Sequence, residues 1–441
     1  MEYLAAWMFL AFTILLMAGF PVTFTLIGTA MIFASIGPGL GFFGLLPLRI
    51  WGVIDNVVLI AVPLFVFMGT VLERSGLAEE LLDTMGMLFG PLRGGLAISV
   101  VVVGALLGAS TGIVGATVVT MGLLAVPTML RRGYQKALAC GTVSASGTLG
   151  QIIPPSIVLV LLGTIVQVPV GDLFIGAVLP GLLLVVLYII YIFIATLLKP
   201  EIAPPVPKEE MAGFRGGGFT RRVMRALFPP LFLMVAVLGS IFAGVASPTE
   251  AAAVGCVGAV LLAVWNRRFN MKVLREVMTQ TTKLTCMVFI ILVGAQAFGL
   301  TFRELDGDQL VRNFLSAFAE AHGRWVVLSV VMFVIFLVGF VLDFVEITFI
   351  HVPVVAPIMI EFGFDPVWFC VLLAVNLQTS FMTPPFGFSL FYLKAVTPPE
   401  IRTQHIYRGI IPFVAFQLIG LIIVAFFPKL ATWLPKVVYG G

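Results

Sequence analysis

Two proline pairs set the terms on which this chain can fold. Pro154-Pro155 recurs 230 positions later as Pro384-Pro385, and Pro127, Met129, Gly133 and Cys140 recur at the same spacing as Pro357, Met359, Gly363 and Cys370, with no gap anywhere. Few other identities join them, so two divergent copies share mainly backbone punctuation. Around them the chain is 60% hydrophobic and 10% charged. Its uncharged stretches are long enough to cross hydrocarbon, a composition outside that of soluble domains. A duplicated pattern in such a chain predicts an all-α polytopic membrane protein of two-fold transporter architecture.

No basic region precedes the first apolar stretches, and the first positive residue is Arg49, so the start reads as mature membrane helix and not as a secretory signal. The four cysteines (Cys140, Cys256, Cys286 and Cys370) lie inside apolar runs and read as small buried packing residues. The one long polar stretch, 199–225, contains KPEIAPPVPKEE and FRGGGFTRR and reads as a flexible cytoplasmic linker. It divides a first repeat, 1–198, from a second, 226–441.

Loop charge decides how the repeats are related. Arg131, Arg132 and Lys136 follow the first apolar double stretch, whereas the equivalent loop of the second repeat carries Glu361 and Asp365 and no Lys or Arg. Conversely Arg267, Arg268, Lys272 and Arg275 have an uncharged counterpart in the loop from Gly37 to Leu48. Equivalent loops face opposite sides, which is inverted topology. Counting outward from the basic linker puts both termini on the outer side.

Each repeat carries two elements that a plain spanning helix does not explain. The stretch 94–131 is interrupted by GALLGASTG (Gly104 to Gly112), which predicts a re-entrant hairpin with a small-residue tip; its counterpart is 324–362, with a tip near Gly339 to Glu346. The stretches 137–168 and 366–396 contain GTVSASGTLGQIIPPS and NLQTSFMTPPFG, each ending at a proline pair. Proline lacks an N–H and disfavours helical geometry at the residue before it, so each stretch predicts a broken helix with freed carbonyls. At membrane depth those oxygens need a cavity, water or a cation. Hard oxygens without thiolate or imidazole suit an alkali cation, sodium by preference. Gly, Ser and Thr also serve plain helix packing in membranes, but matched patches beside both proline pairs favour ion sites.

Asp343 and Glu346 are carboxylates expected at depth on the second tip, either functional or, in the alternative, with Asp343 capping the helix that follows and Glu346 reaching an aqueous vestibule. His351 reads as a packed residue, and Asp55, Glu73 and Asp172 as interfacial ones. The sequence lacks a GxxxxGK[ST] phosphate loop and an HExxH pair, its three histidines are scattered, and GASTG is only a loose GxSxG. ATP hydrolysis, zinc chemistry and serine hydrolysis are therefore disfavoured, and no basic stripe points to nucleic acid.

The segments GASTGIVGATVVTMG (Gly108 to Gly122), SASGTLGQIIPPS (Ser144 to Ser156), GFVLD (Gly339 to Asp343) and NLQTSFMTPPFG (Asn376 to Gly387) resemble the hallmark segments of the large membrane subunit of tripartite ATP-independent periplasmic (TRAP) transporters. The resemblance covers essentially the whole chain. It implies sodium-coupled uptake of a small organic acid across a bacterial inner membrane by an elevator-type transporter of the ion-transporter superfamily, without ATP. It further implies a small four-helix membrane subunit, expected here as a separate chain, and a periplasmic substrate-binding protein. By motif, the first sodium site would use Ser110, Gly112, Gly147, Gly150 and Pro154, and the second Gly339, Asp343, Thr379, Met382 and Thr383. The carboxylate substrate would lie between them, near Thr111, Ser146, Thr148, Asn376, Gln378 and Ser380. The FVEITFIH that follows Asp343 is bulkier and more acidic than the family pattern. Two readings outside this one are a binding-protein-independent sodium/anion symporter of divalent-anion type and a non-transporting scaffold subunit.

Overall fold

A computed structural model describes residues 3–207 and 219–440, and every described element of regular structure is helical. Seven of these helices are long and apolar enough to cross a membrane, and shorter apolar helices complete the hairpins and broken spans.

The helices fall into two packed groups. Ala61–Arg74, Pro248–Trp265, Met271–Glu304 and Val22–Ile36 pack on one another, with Leu4–Met17 and Phe219–Phe242 at their edges. The second group holds both hairpins and both broken helices, together with Val170–Leu198 and Thr403–Phe426. Helix Lys136–Thr148 packs on both arms of the first hairpin and on Thr403–Phe426. Its crossing with Thr403–Phe426 depends on glycine: a Cβ on Gly141 would overlap the Gly409 carbonyl, and one on Gly409 the Ala137 carbonyl. Small residues let backbones approach to gain dispersion contacts where lipid removes any hydrophobic drive between helices.

The first hairpin consists of Gly95–Thr111 and Val114–Arg131. The small-residue run Gly104 to Gly112 is not all tip: helix continues through Thr111, and only Gly112, at φ +63°, and Ile113 leave it. Small side chains there serve close packing, since a Cβ on Gly104 would be 2.6 Å from the Ser146 Cβ. The second hairpin runs up Arg324–Val338 and down Phe344–Ile350 and Val352–Glu361, which meet at a 58° bend. Pro353 lies just past that bend and cannot donate an N–H across it. The corresponding first-hairpin arm is unbroken.

The broken helices are Lys136–Thr148 with Ile157–Val166, and Pro366–Met382 with Phe388–Val396. A single 3-10 turn, Leu149–Gln151, trails the first break. Both proline pairs are cis.

Two expectations differ from the structure. Of the stretch read as a flexible linker, residues 208–218 lie outside the described residues, but its beginning is docked and its end is helical. The carbonyls of Ile202 and Ala203 accept from the N–H groups of Gln135 and Gly94, Val206 N–H donates to Gly90, and helix Phe219–Phe242 has already begun by Arg225. Proline and glycine content conceals such docking because its bonds are made by backbone. The second difference is Cys286, which is exposed while the other three cysteines are buried; an apolar run in a membrane chain can turn a face outward as readily as inward.

Candidate functional site

Each hairpin tip rests on the break of its own repeat. A Cβ on Gly108 would be 2.7 Å from Gly150 N, and one on Gly150 would overlap the Gly108 carbonyl, so tip and break meet backbone to backbone. In the second repeat a Cβ on Gly339 would be 2.8 Å from the Ser380 Cβ. Gly147 is packed against Val118 of the first hairpin. The structure thus brings Ser110, Gly112, Gly147 and Gly150 into one region, and Gly339, Thr379, Ser380 and Met382 into another.

The hydroxyls at these places are turned back on their own helices. Ser110 donates to the Leu107 carbonyl at 2.8 Å, Thr148 to Ala145 at 2.8 Å, Thr379 to Val375 at 2.8 Å, Ser380 to Leu377 at 2.8 Å and Thr383 to Thr379 at 2.6 Å. Each oxygen keeps acceptor capacity after donating its one proton. Thr111 bonds Thr117 at 2.9 Å across the first tip, and Asn376 donates to the Met332 carbonyl of the second hairpin at 2.8 Å.

Asp343 begins helix Phe344–Ile350 in a capping box with Glu346. The Asp343 carboxylate accepts from Phe344 N–H at 2.8 Å, and Glu346 accepts from the Asp343 N–H at 2.9 Å. Both carboxylates therefore hold the tip in shape: for Asp343 this is the capping alternative weighed from sequence, whereas Glu346, expected in that alternative to reach a vestibule, is buried in the capping box. His351 is half-buried and packs against Phe9, with ring centroids 5.8 Å apart. Glu73, read as interfacial, is half-buried one residue before the end of helix Ala61–Arg74, and its carboxylate accepts from Thr120 on the first hairpin.

Several buried polar atoms have no hydrogen-bond partner in the protein. They include Ser144 Oγ and both amide atoms of Gln151 in the first broken helix, Gln378 Oε1 in the second, and Thr348 Oγ1 and His351 Nδ1 in the second hairpin. Such groups are costly to bury unsatisfied, so each marks a place where water, an ion or a ligand can satisfy it.

A cavity of about 180 Å³ lies between the two tips and the first helix group. Its walls include Ile113, Val114 and Gly115 from one tip, Asp343 and Phe344 from the other, and Tyr392. Thr111, Ser146, Thr148, Asn376, Gln378 and Ser380 are not among its lining residues. A second cavity, of about 240 Å³, is lined by Arg49, Gln167, Gln296 and Arg303, with Phe349 and Pro353 of the second hairpin opposite.

Sequence reading did not single out Tyr188 and Gln417. Tyr188 donates to Gln417 Oε1 at 2.7 Å, Gln378 Nε2 lies 3.3 Å from Thr148 Oγ1 and 3.5 Å from the Tyr188 oxygen, and all four residues are fully buried. A tyrosine and a glutamine inside long apolar spans were the available signal, since buried polar groups need partners.

The family model described as "Tripartite ATP-independent periplasmic transporter, DctM component" matches residues 9–430. This chain belongs to the DctM family. It is 33% identical over 393 residues, 89% of each chain, to the C4-dicarboxylate TRAP transporter large permease protein DctM of Pseudomonas aeruginosa. It is also 30% identical to the ectoine/5-hydroxyectoine TRAP transporter large permease protein UehC of Ruegeria pomeroyi, covering 98% of each chain. To the sialic acid TRAP transporter large permease protein SiaM of Vibrio cholerae it is 28% identical, covering 97% of each. The solved structure of the Alcanivorax borkumensis YdaH transporter superposes with a TM-score of 0.65 at 15% identity, covering 95% of this chain and 98% of that one. DctM-family membership makes the chain a TRAP large permease, a multi-pass transporter component and not an enzyme.

Proposed function

We propose that this large permease imports a small carboxylate across the bacterial inner membrane, coupled to sodium ions that bind where the hairpin tips meet the helix breaks. The observation that carries the reading is the matched contact of tip and break in both repeats, Gly108 on Gly150 and Gly339 on Ser380. The first sodium would be held by Ser110, Gly112, Gly147, Gly150 and Pro154. The second would be held by Gly339, Asp343, Thr379, Met382 and Thr383. Oxygen donors without thiolate or imidazole suit a hard cation, and the unpartnered Ser144, Gln151 and Gln378 atoms leave polar capacity close by in sequence.

The inter-tip cavity is the substrate position in this reading, with Asp343 and Tyr392 as its polar wall groups. Sodium neutralises the inward oxygens, after which an anion can enter a site that would otherwise repel it. Arg49 lines the second cavity and suits an approaching carboxylate, whereas Arg303 in the same wall is paired with Asp308 at 3.3 Å. Hairpins and broken helices move as one body against the other helix group, in the manner of an elevator. A small membrane subunit completes the scaffold, and a periplasmic binding protein delivers the substrate. The relatives named for C4-dicarboxylates and sialic acid support an acidic cargo, and those named for ectoine widen the range.

The test is uptake by the purified permease with its small subunit in liposomes, using radiolabelled succinate and sialic acid as probes. Uptake that needs both an inward sodium gradient and loaded binding protein is expected. Sodium-driven uptake without binding protein would instead favour the divalent-anion type of symporter, and no uptake with any family substrate would leave a scaffold subunit.

A further inference from the structure

The two helix breaks are joined by a run of hydrogen bonds through the interior that spreads in both directions from the Gln378 amide. Thr148 donates to the Ala145 carbonyl at 2.8 Å. Gln378 Nε2, which has two protons, faces the Thr148 oxygen at 3.3 Å and the Tyr188 oxygen at 3.5 Å. Tyr188 spends its single proton on Gln417 Oε1 at 2.7 Å, and Gln417 Nε2 donates to the Val375 carbonyl at 3.3 Å. The donors diverge from Gln378 Nε2, and both ends of the run are accepting carbonyls, Ala145 in one broken helix and Val375 in the other. Val375 O also accepts from Thr379 at 2.8 Å, and the Met382 sulfur lies 3.5 Å from the Tyr188 oxygen.

We infer that Tyr188 and Gln417 are positioning residues that couple the two breaks, so that ordering one cation site prepares the other. The inference rests on the sodium reading above and adds residues which that reading does not use. Tyr188 belongs to Val170–Leu198 and Gln417 to Thr403–Phe426, the long helices that follow the broken ones in each repeat. Neither residue lines the inter-tip cavity, so neither has a direct part in holding substrate there. Their side chains are fully buried, where no water competes for the bonds and a lost partner leaves an unsatisfied polar group. A shift of the last turn at Thr148 therefore reaches Gln378 directly, and Tyr188 and Gln417 tie that amide to the Val375 carbonyl, which Thr379 shares, on the same helix.

Tyr188→Phe removes only the hydroxyl and keeps the ring against Phe413, with which it makes an edge contact at 5.4 Å between centroids. In the assembled transporter, the sodium concentration for half-maximal succinate uptake should rise about three- to tenfold, the worth of one buried hydrogen bond. The sodium Hill coefficient should fall towards one, while the substrate KM at saturating sodium stays unchanged. Gln417→Met should do the same, and the double variant should be no worse than either single one, because the run fails as a unit. Thermal melting of each purified variant is measured alongside, to separate positioning from loss of fold. Should a variant fail to fold, the other single variant carries the test. An unchanged Hill coefficient and sodium dependence in a folded Tyr188→Phe, or strictly additive single effects, overturn the coupling while leaving sodium-driven uptake intact. Absence of sodium dependence in the unmodified transporter overturns the sodium reading itself.

Discussion

Gln378 donates an N–H to Thr148 at 3.3 Å, and these two residues occupy the same position of the two repeats, 230 apart. Repeat mates touch only where the pseudo-two-fold axis passes between them. The axis therefore runs through the last helical turns before the two breaks. Both residues were expected to face substrate; the structure places them in contact with each other, inside the packed centre. The hydrogen bond also explains how a threonine can match a glutamine across a symmetry axis: one supplies the acceptor, the other the donor.

Thr148→Val keeps the shape and leaves the Gln378 amide with one partner fewer. A destabilisation of about 1–3 kcal/mol is expected, read as a lowered melting temperature of the purified protein. Thr148→Ser keeps the acceptor and should stay close to the original.

Gly150→Ala places a methyl group into the Gly108 carbonyl across the tip–break contact. Neither backbone can yield without moving the hairpin, so transport should be lost and folded yield reduced. The control is Gly28→Ala, whose added Cβ would meet nothing within 4 Å; it should be neutral in the same expression and uptake assays.

Asp343→Asn retains an N-cap of comparable quality, so stability should change by only a few tenths of a kcal/mol. Uptake should nevertheless fall, with a higher sodium requirement, because the carboxylate charge is gone. Asp343→Ala loses cap and charge together, at a cost of about 1 kcal/mol. Equal uptake by Asp343→Asn and the original protein would remove Asp343 from the sodium site.

Thr379→Val removes the hydroxyl that bonds Val375 at 2.8 Å. Expression should be intact and the sodium concentration for half-maximal uptake raised severalfold in reconstituted vesicles. Unchanged sodium activation would show that this oxygen is not a ligand.

Thr120 of the first hairpin donates to the carboxylate of Glu73 in helix Ala61–Arg74, and the backbone at Ser110 and Thr111 lies against Gly69 of the same helix. If the hairpin moves against that helix, this contact belongs to one end of the motion. Thr120→Val should then alter the maximal uptake rate with little change in substrate KM, and Thr120→Ser should restore it. A changed KM at constant maximal rate would place the pair in substrate binding instead.

The membrane class, the repeat and its inversion, the hairpins and the breaks were all legible in the chain, because each has a local cause. Apolar length, loop charge and proline's missing N–H act within a few residues and leave a mark wherever they act. The run Gly104 to Gly112 shows the limit of such marks: small residues can end a helix or let one pack closely, and here most of them do the second. Which polar groups meet was not legible. Tyr188, Gln378 and Gln417 come from three helices separated by long stretches of sequence, and only their packing shows that they satisfy one another. Asp343 could be read as ligand or cap from sequence; its carboxylate accepts from Phe344 N–H and its own N–H donates to Glu346, which establishes the cap and leaves the ligand role to the sodium test. The sequence by itself determined where this backbone must break; tertiary structure decided what those breaks face, since a buried hydrogen bond is specified by two distant partners and not by either alone.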